Sequence, residues 1–181
     1  MSWSSMEQAL YLIGQALGLV ALVLGFLSFQ CKDQRRLLLV QTVMCLVFAS
    51  HYLLIGAMTG MAMNAICVLR NGLYYLRFEK GRSWALAAAF AVTLGAISAV
   101  TWDGWFSSFM LLCMVTCCFT MNLRTAKAVR YWSFFTCPLA FTYDVFVHSY
   151  SGMLFETVMV ISAIIGTLRN RKRDPKSEKN A

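Results

Sequence analysis

Five side chains in this sequence could do polar chemistry from within otherwise apolar stretches: His51, Asn64, Arg70, Asp144 and Glu156. In a bilayer's hydrocarbon an Asp, Lys or Arg costs about 2.5–3.5 kcal/mol on insertion scales, so each such group needs a partner or a watery cavity. Their spacing is informative. Gly60, Asn64, Cys67 and Asn71 recur at helical intervals along one face, and Gly152, Glu156, Met159 and Ala163 recur in the same way further on. Two such faces, each with a glycine one turn before its polar residue, would leave room for a small hydrophilic solute between them. Asn64, Glu156 and Asn71 are therefore the candidate binding residues. The same spacing also suits Asn64 and Glu156 that merely hydrogen-bond neighbouring helices at about 0.6 kcal/mol each. Asp144 and Glu156 are the acids placed deep enough to carry a proton, which makes Asp144, His51 and Arg70 a candidate proton or polar relay. Asp144 could equally pair with His148, one turn on, or reach water, and Arg70 could snorkel toward a membrane surface as an anchor.

Other chemistries find no support. There is no HExxH, Walker loop or GxSxG, and no Cys–His pair with a base in reach, so no enzyme, metal site or cofactor is expected. Of seven cysteines, Cys45, Cys67, Cys113, Cys117, Cys118 and Cys137 lie in apolar runs and Cys31 at the end of one. They read as small packing residues at helix contacts.

The elements that must position these residues are membrane helices. The chain of 181 residues is 59% hydrophobic and 13% charged, against about 25% charged in soluble domains. Apolar runs of bilayer-spanning length predict seven transmembrane helices at 10–29, 37–55, 59–76, 84–100, 105–121, 131–147 and 153–168. The fold class is all-α membrane, in one membrane domain. Of the 16 Lys and Arg residues, only Arg70 falls inside a predicted span; the rest occupy alternate breaks and a basic tail over 169–181. Read over short loops, that alternation places the N-terminus in the periplasm and the C-terminus in the cytoplasm of a bacterial inner membrane. Trp3, Tyr11, Trp102, Trp105 and Tyr150 then mark the outer interface, and Tyr74, Tyr75, Phe78, Trp84, Tyr131 and Trp132 the inner one. The net charge of +8 has this topological cause, so lipids are the expected partners of the tail and nucleic acid is not.

An ungapped offset between helices two and three and helices six and seven aligns Cys45 with Cys137, Gly60 with Gly152, Asn64 with Glu156, Lys32 with Arg124 and Arg77 with Arg169. Two parallel triple-helix units, 10–76 and 105–168, joined by an inverting fourth helix at 84–100, would follow. Ala87, Ala91, Gly95 and Ala99 give helix four a small face, as Gly14 and Gly18 do for helix one. Pro138, the proline within a predicted span, frees the carbonyl of Phe134 and makes helix six the candidate hinge.

The loop Lys32-Asp33-Gln34-Arg35-Arg36, the segment His51-Tyr52-Leu53-Leu54-Ile55-Gly56, Asn64-Ala65-Ile66, and Gly152 followed by Glu156 resemble the YgjV family of bacterial inner-membrane proteins over roughly residues 10–170. That resemblance implies no activity. The layout is similar to the 3+1+3 arrangement of SWEET and PQ-loop sugar transporters, in which an Asn on the third helix of each unit contacts the solute; here Asn64 and Glu156 stand at those places. The SWEET proline in the first helix of each unit is absent from 10–29 and 105–121, so a rocking mechanism enters by analogy of layout alone. The function expected is small-solute transport; a non-transporting scaffold that binds lipid or a partner is the other class. Either is compatible with a homo-oligomer.

Overall fold

A computed structural model describes residues 5–31, 33–123 and 125–171. Trp3, Lys32, Arg124 and the tail beyond residue 171 lie outside the described residues. Within them the chain forms seven α-helices and no strand: α1 (Ser5–Gln30), α2 (Gln34–Leu54), α3 (Met58–Leu76), α4 (Trp84–Val100), α5 (Ser107–Asn122), α6 (Ala126–Phe146) and α7 (Tyr150–Arg171). Each predicted span falls on one helix. Several helices outrun the spans because hydropathy marks only their apolar part: α6, for example, starts five residues before its span, at Ala126.

Local signals set the ends. Asp33 caps α2 by accepting from the backbone N–H of Arg35 at 3.2 Å, and the Ser83 hydroxyl caps α4 by accepting from the Leu86 N–H at 3.3 Å. Gly56, with φ +80°, turns the chain out of α2 in the left-handed region that glycine enters freely. His148 makes the corresponding turn after α6 at φ 55°, which costs a residue with a Cβ more.

α1, α2, α3, α5, α6 and α7 pack successively, and α7 returns to α1, closing a ring; α4 stands outside it against α3 and α5. Of the small face predicted for α4, Ala87 packs and Gly95 and Ala99 do not: Ala87, Leu94 and Ser98 are buried, whereas Ala99 is exposed and a Cβ on Gly95 would meet nothing within 4 Å. The packing stripe follows the seven-and-four spacing of one helix face, which a count of small residues alone did not reveal. α1 does use its glycines: a Cβ on Gly14 would meet Ile55 at 3.0 Å and Leu54 at 3.1 Å, and one on Gly18 would strike Ser151 of α7.

The two ends of the ring differ. One, the turn end, carries the start of α1 and the α2–α3, α4–α5 and α6–α7 connections. The opposite, basic end carries Arg35, Arg36, Arg77, Lys80, Arg82, Lys127 and Arg130. There Arg35 pairs with Glu79 at 3.2 Å and lies over the rings of Tyr75 and Phe78. Trp84, Trp102, Trp105, Tyr131 and Tyr150 are exposed near the two ends. Tyr74, predicted as an interfacial anchor, is instead buried at 4% exposure and donates to the Cys118 carbonyl at 3.1 Å.

Candidate functional site

The ring encloses a cavity of about 120 Å³, lined from α1, α2, α3, α5, α6 and α7. By the rule that a water needs roughly 10–15 Å³ of such space, it holds several waters or a small solute. It runs from Tyr52 toward the turn end to Met121 and Val129 toward the basic end. Asn64 and Glu156 both line it, on α3 and α7. The Asn64 Nδ2 donates to the Gly60 carbonyl one turn back at 2.9 Å, a bond within its own helix. Glu156 lies beside the thiol of Cys137, another lining residue.

Arg70 also lines the cavity and is 3% exposed. It does not snorkel: Nε and Nη2 donate to the Asn71 Oδ1 at 3.1 and 3.0 Å, and Nη1 to the Cys118 sulfur at 3.5 Å. Asn71 lies behind the wall, fully buried, outside the lining. Its Oδ1 holds the guanidinium and its Nδ2 reaches the Cys45 sulfur at 3.8 Å. Asn71 thus sets the position of Arg70.

The turn end is closed by a hydrogen-bonded seal. Tyr52 Oη donates to Asp144 Oδ1 at 2.7 Å, joining α2 to α6 across the ring. Asp144 is 1% exposed and its side chain is bonded to Tyr52, so it neither reaches water nor pairs with His148. His51 is fully buried between Gly14 O at 2.7 Å from Nδ1 and Ser149 Oγ at 2.8 Å from Nε2. A carbonyl can only accept, so Nδ1 carries the proton, and a neutral His51 accepts at Nε2 from the Ser149 hydroxyl. His51 with Ser149 and Tyr52 with Asp144 are therefore two bonded pairs that together make up the seal. Arg70 is not part of it.

The room expected beside Gly60 and Gly152 is taken up by this seal. A Cβ on Gly60 would lie 2.8 Å from the Tyr52 ring, and one on Gly152 would lie 2.6 Å from the Asp144 carboxyl carbon. The glycines admit the Tyr52 ring and the Asp144 carboxyl and leave no further space beside them. Further bonds tie the same end. Thr59 N donates to Asp103 at 3.1 Å, and its hydroxyl donates to the Thr101 carbonyl. Ser151 donates from N and Oγ to Gln15 Oε1 at 2.9 Å each, while Tyr11 Oη and Gln15 Nε2 donate to the His148 carbonyl. Pro138 lies within α6, which continues through it to Phe146.

Sequence reading missed the sulfur. Cys45, Cys67, Cys113, Cys117 and Cys137 line the cavity, together with Met44, Met110, Met114, Met121 and Met159. All seven cysteines are free thiols. Among the described residues no group of three His, Cys, Asp or Glu side chains could hold a metal ion. The alignment of Cys45 with Cys137 was the available signal, because paired small residues on two inward faces have to share what lies between them.

Outward, the ring presents Leu12, Val23, Leu46, Leu69 and Ile165, all exposed. α1 and α2 are each long and apolar enough to cross a bilayer. An apolar outside around buried Asn, Arg and Glu side chains is the arrangement of a helical membrane protein. The model of a family described as bacterial inner membrane protein, Imp-YgjV, matches residues 12–174, and the chain belongs to that family. No curated protein and no solved structure matches it.

Proposed function

We propose that this protein is a small-solute transporter of the bacterial inner membrane, with its binding site in the cavity at the centre of the ring. The observation that carries this reading is the cavity itself: Asn64, Glu156 and Arg70 converge on it, and the Tyr52–Asp144 hydrogen bond crosses the ring at its turn end.

In this reading all seven helices span, the basic end faces the cytoplasm with the C-terminus, and the N-terminus is periplasmic. α3 and α6 turn polar side chains into the ring, so they need less overall apolarity than α1 and α2. The seal is then the periplasmic gate, and the cavity loads from the cytoplasmic side. No bond is made or broken in the solute, and no cofactor takes part. Lipid surrounds the ring, and the basic tail lies on anionic headgroups.

Two parallel triple-helix units, α1–α3 and α5–α7, are supported by contacts that recur at one offset. Tyr52 and Asp144, which bond each other, are 92 positions apart. So are Gly56 and His148, the two turns at positive φ. The contact of Thr59 with Ser107 is mirrored by that of Ser151 with Gln15, each partner displaced by the same interval. The junction of α3 with α5 likewise mirrors that of α7 with α1. α4 is the inverting linker, and the units move against each other to alternate access.

The test is a thermal-shift screen of the purified protein against metabolites, with Asn64→Ala and Glu156→Gln beside the wild type. A compound that stabilises only the wild type supports the reading by mass action. No shift from any compound, with Cys45 and Cys137 inert to neutral 2-hydroxyethyl methanethiosulfonate until unfolding, would replace it with a lipid- or partner-binding scaffold.

A further inference from the structure

Arg70 is the anomaly of the cavity wall. Among the described residues the ion pair within 4 Å is that of Arg35 with Glu79 at the basic end, so no carboxylate meets the buried guanidinium. Its neighbours are an amide and thiols: Asn71 Oδ1 and the Cys118 sulfur, with Cys67, Cys117 and Cys45 nearby. A buried charge without a counter-charge is strongly destabilising. The guanidinium has five N–H donors; the bonds to Asn71 and Cys118 leave one N–H on each Nη unused. A fork of that shape matches a carboxylate, and Asn71 braces it from behind so that little ordering is left for the moment of binding.

The rest of the wall narrows the class. Six residues of α3 separate Arg70 from Asn64, about 9 Å along the axis. Beyond Arg70 toward the seal the lining carries Asn64 and Glu156 and no second cation, amid Met110, Met114 and Phe155. A negative head has one place to go, the remainder of the solute meets sulfur and aromatic surface, and the volume of about 120 Å³ keeps the whole small.

Resting on the solute-site reading above, we infer that the cavity binds a small monocarboxylate with an apolar body, its carboxylate paired with Arg70 and its body lying toward Glu156. The solute is the missing counter-ion. Loading then removes the electrostatic penalty of the empty wall.

The lining cysteines are the reporters. In full-length protein carrying Cys31→Ser, the rates at which anionic 2-sulfonatoethyl and cationic 2-trimethylammonioethyl methanethiosulfonates modify Cys45 and Cys137 are read by mass spectrometry. The anion is expected to react at least threefold faster. Arg70→Gln abolishes that preference and Arg70→Lys keeps part of it. Propionate slows the anionic reagent on the wild type at least threefold, while propionamide, its neutral isostere, and inorganic phosphate at equal ionic strength do not. Should Arg70→Gln fail to fold, the propionate, propionamide and phosphate arms on the wild type decide alone. Equal protection by propionamide, or protection by phosphate only, overturns the carboxylate assignment and leaves a wet solute site in place. Both charged reagents failing, together with the neutral one, would overturn the solute site as well.

Discussion

The Tyr52 hydroxyl lies 2.7 Å from the Asp144 carboxylate, across the ring from α2 to α6, although those helices share no extended packing surface. Two long side chains thus close what the backbones leave open. Tyr52→Phe removes the donor and keeps the ring that fills the space beside Gly60. Interhelical bonds in membrane proteins contribute about 0.6–1.7 kcal/mol, so the loss of stability is expected at about 1 kcal/mol in a denaturant titration. Reactivity of Cys45 toward a reagent added from the turn end should rise several-fold, a change that a purely structural bond would not produce.

His51→Ala should be more damaging, because His51 ties α1, α2 and the α6–α7 turn through Gly14 and Ser149. Removal leaves a void and a buried Ser149 hydroxyl without its acceptor, at a cost of about 2–4 kcal/mol. His51→Gln, which can reach one of the two partners, should recover part of this. Unfolding midpoints of the three proteins check the order.

Gly152→Ala and Gly95→Ala give opposite expectations from one substitution. At Gly152 the new methyl would lie 2.5 Å from Asp144 Oδ2 and closer still to Ser149 Oγ, and these are held by Tyr52 and His51, so the clash cannot relax cheaply. A loss of about 1–3 kcal/mol follows. Nothing stands within 4 Å of a Cβ at Gly95 in α4, and alanine there should stabilise by about 0.5–1 kcal/mol. Thermal unfolding of both variants side by side separates them.

Ser98 is 1% exposed and its hydroxyl has no hydrogen-bond partner among the described residues. Ser98→Ala is therefore expected to leave stability unchanged or raise it by up to about 1 kcal/mol. A clear loss of stability would show that the hydroxyl has a partner after all.

The helices were readable in the sequence because hydrophobic runs and charged breaks need no knowledge of neighbours. Asn64 and Glu156 stood out for the same reason: a polar group in an apolar run is visible one residue at a time. The seal was not. Tyr52 looks like any aromatic in an apolar helix until Asp144 is placed opposite it, and Asp144 had nearer partners in sequence, His148 above all. Asn71 shares a helical face with Asn64 to within about 20°, yet it lies outside the lining, its Oδ1 taken by Arg70. The packing face of α4 was misjudged because small residues allow close approach but do not say which side a neighbour takes. α3 and α6, read as spans at 59–76 and 131–147, are less apolar than α1 and α2, because polar groups that point into the ring lower an average taken over all faces.

The closure of the ring by α1 against α7 has a consequence for how the chain is made. α1 carries Gln15 and Gly18, whose partner Ser151 belongs to α7, made more than a hundred residues later. Until α7 is synthesised, α1 can dock on α2 but its second face has only lipid beside it. Completion is thus a long-range, late event, slow in the way that pairings between distant parts of a chain are slow. A chain stopped after α6 would be an open crescent of helices, its central groove accessible from the side, and a ready target for membrane quality control.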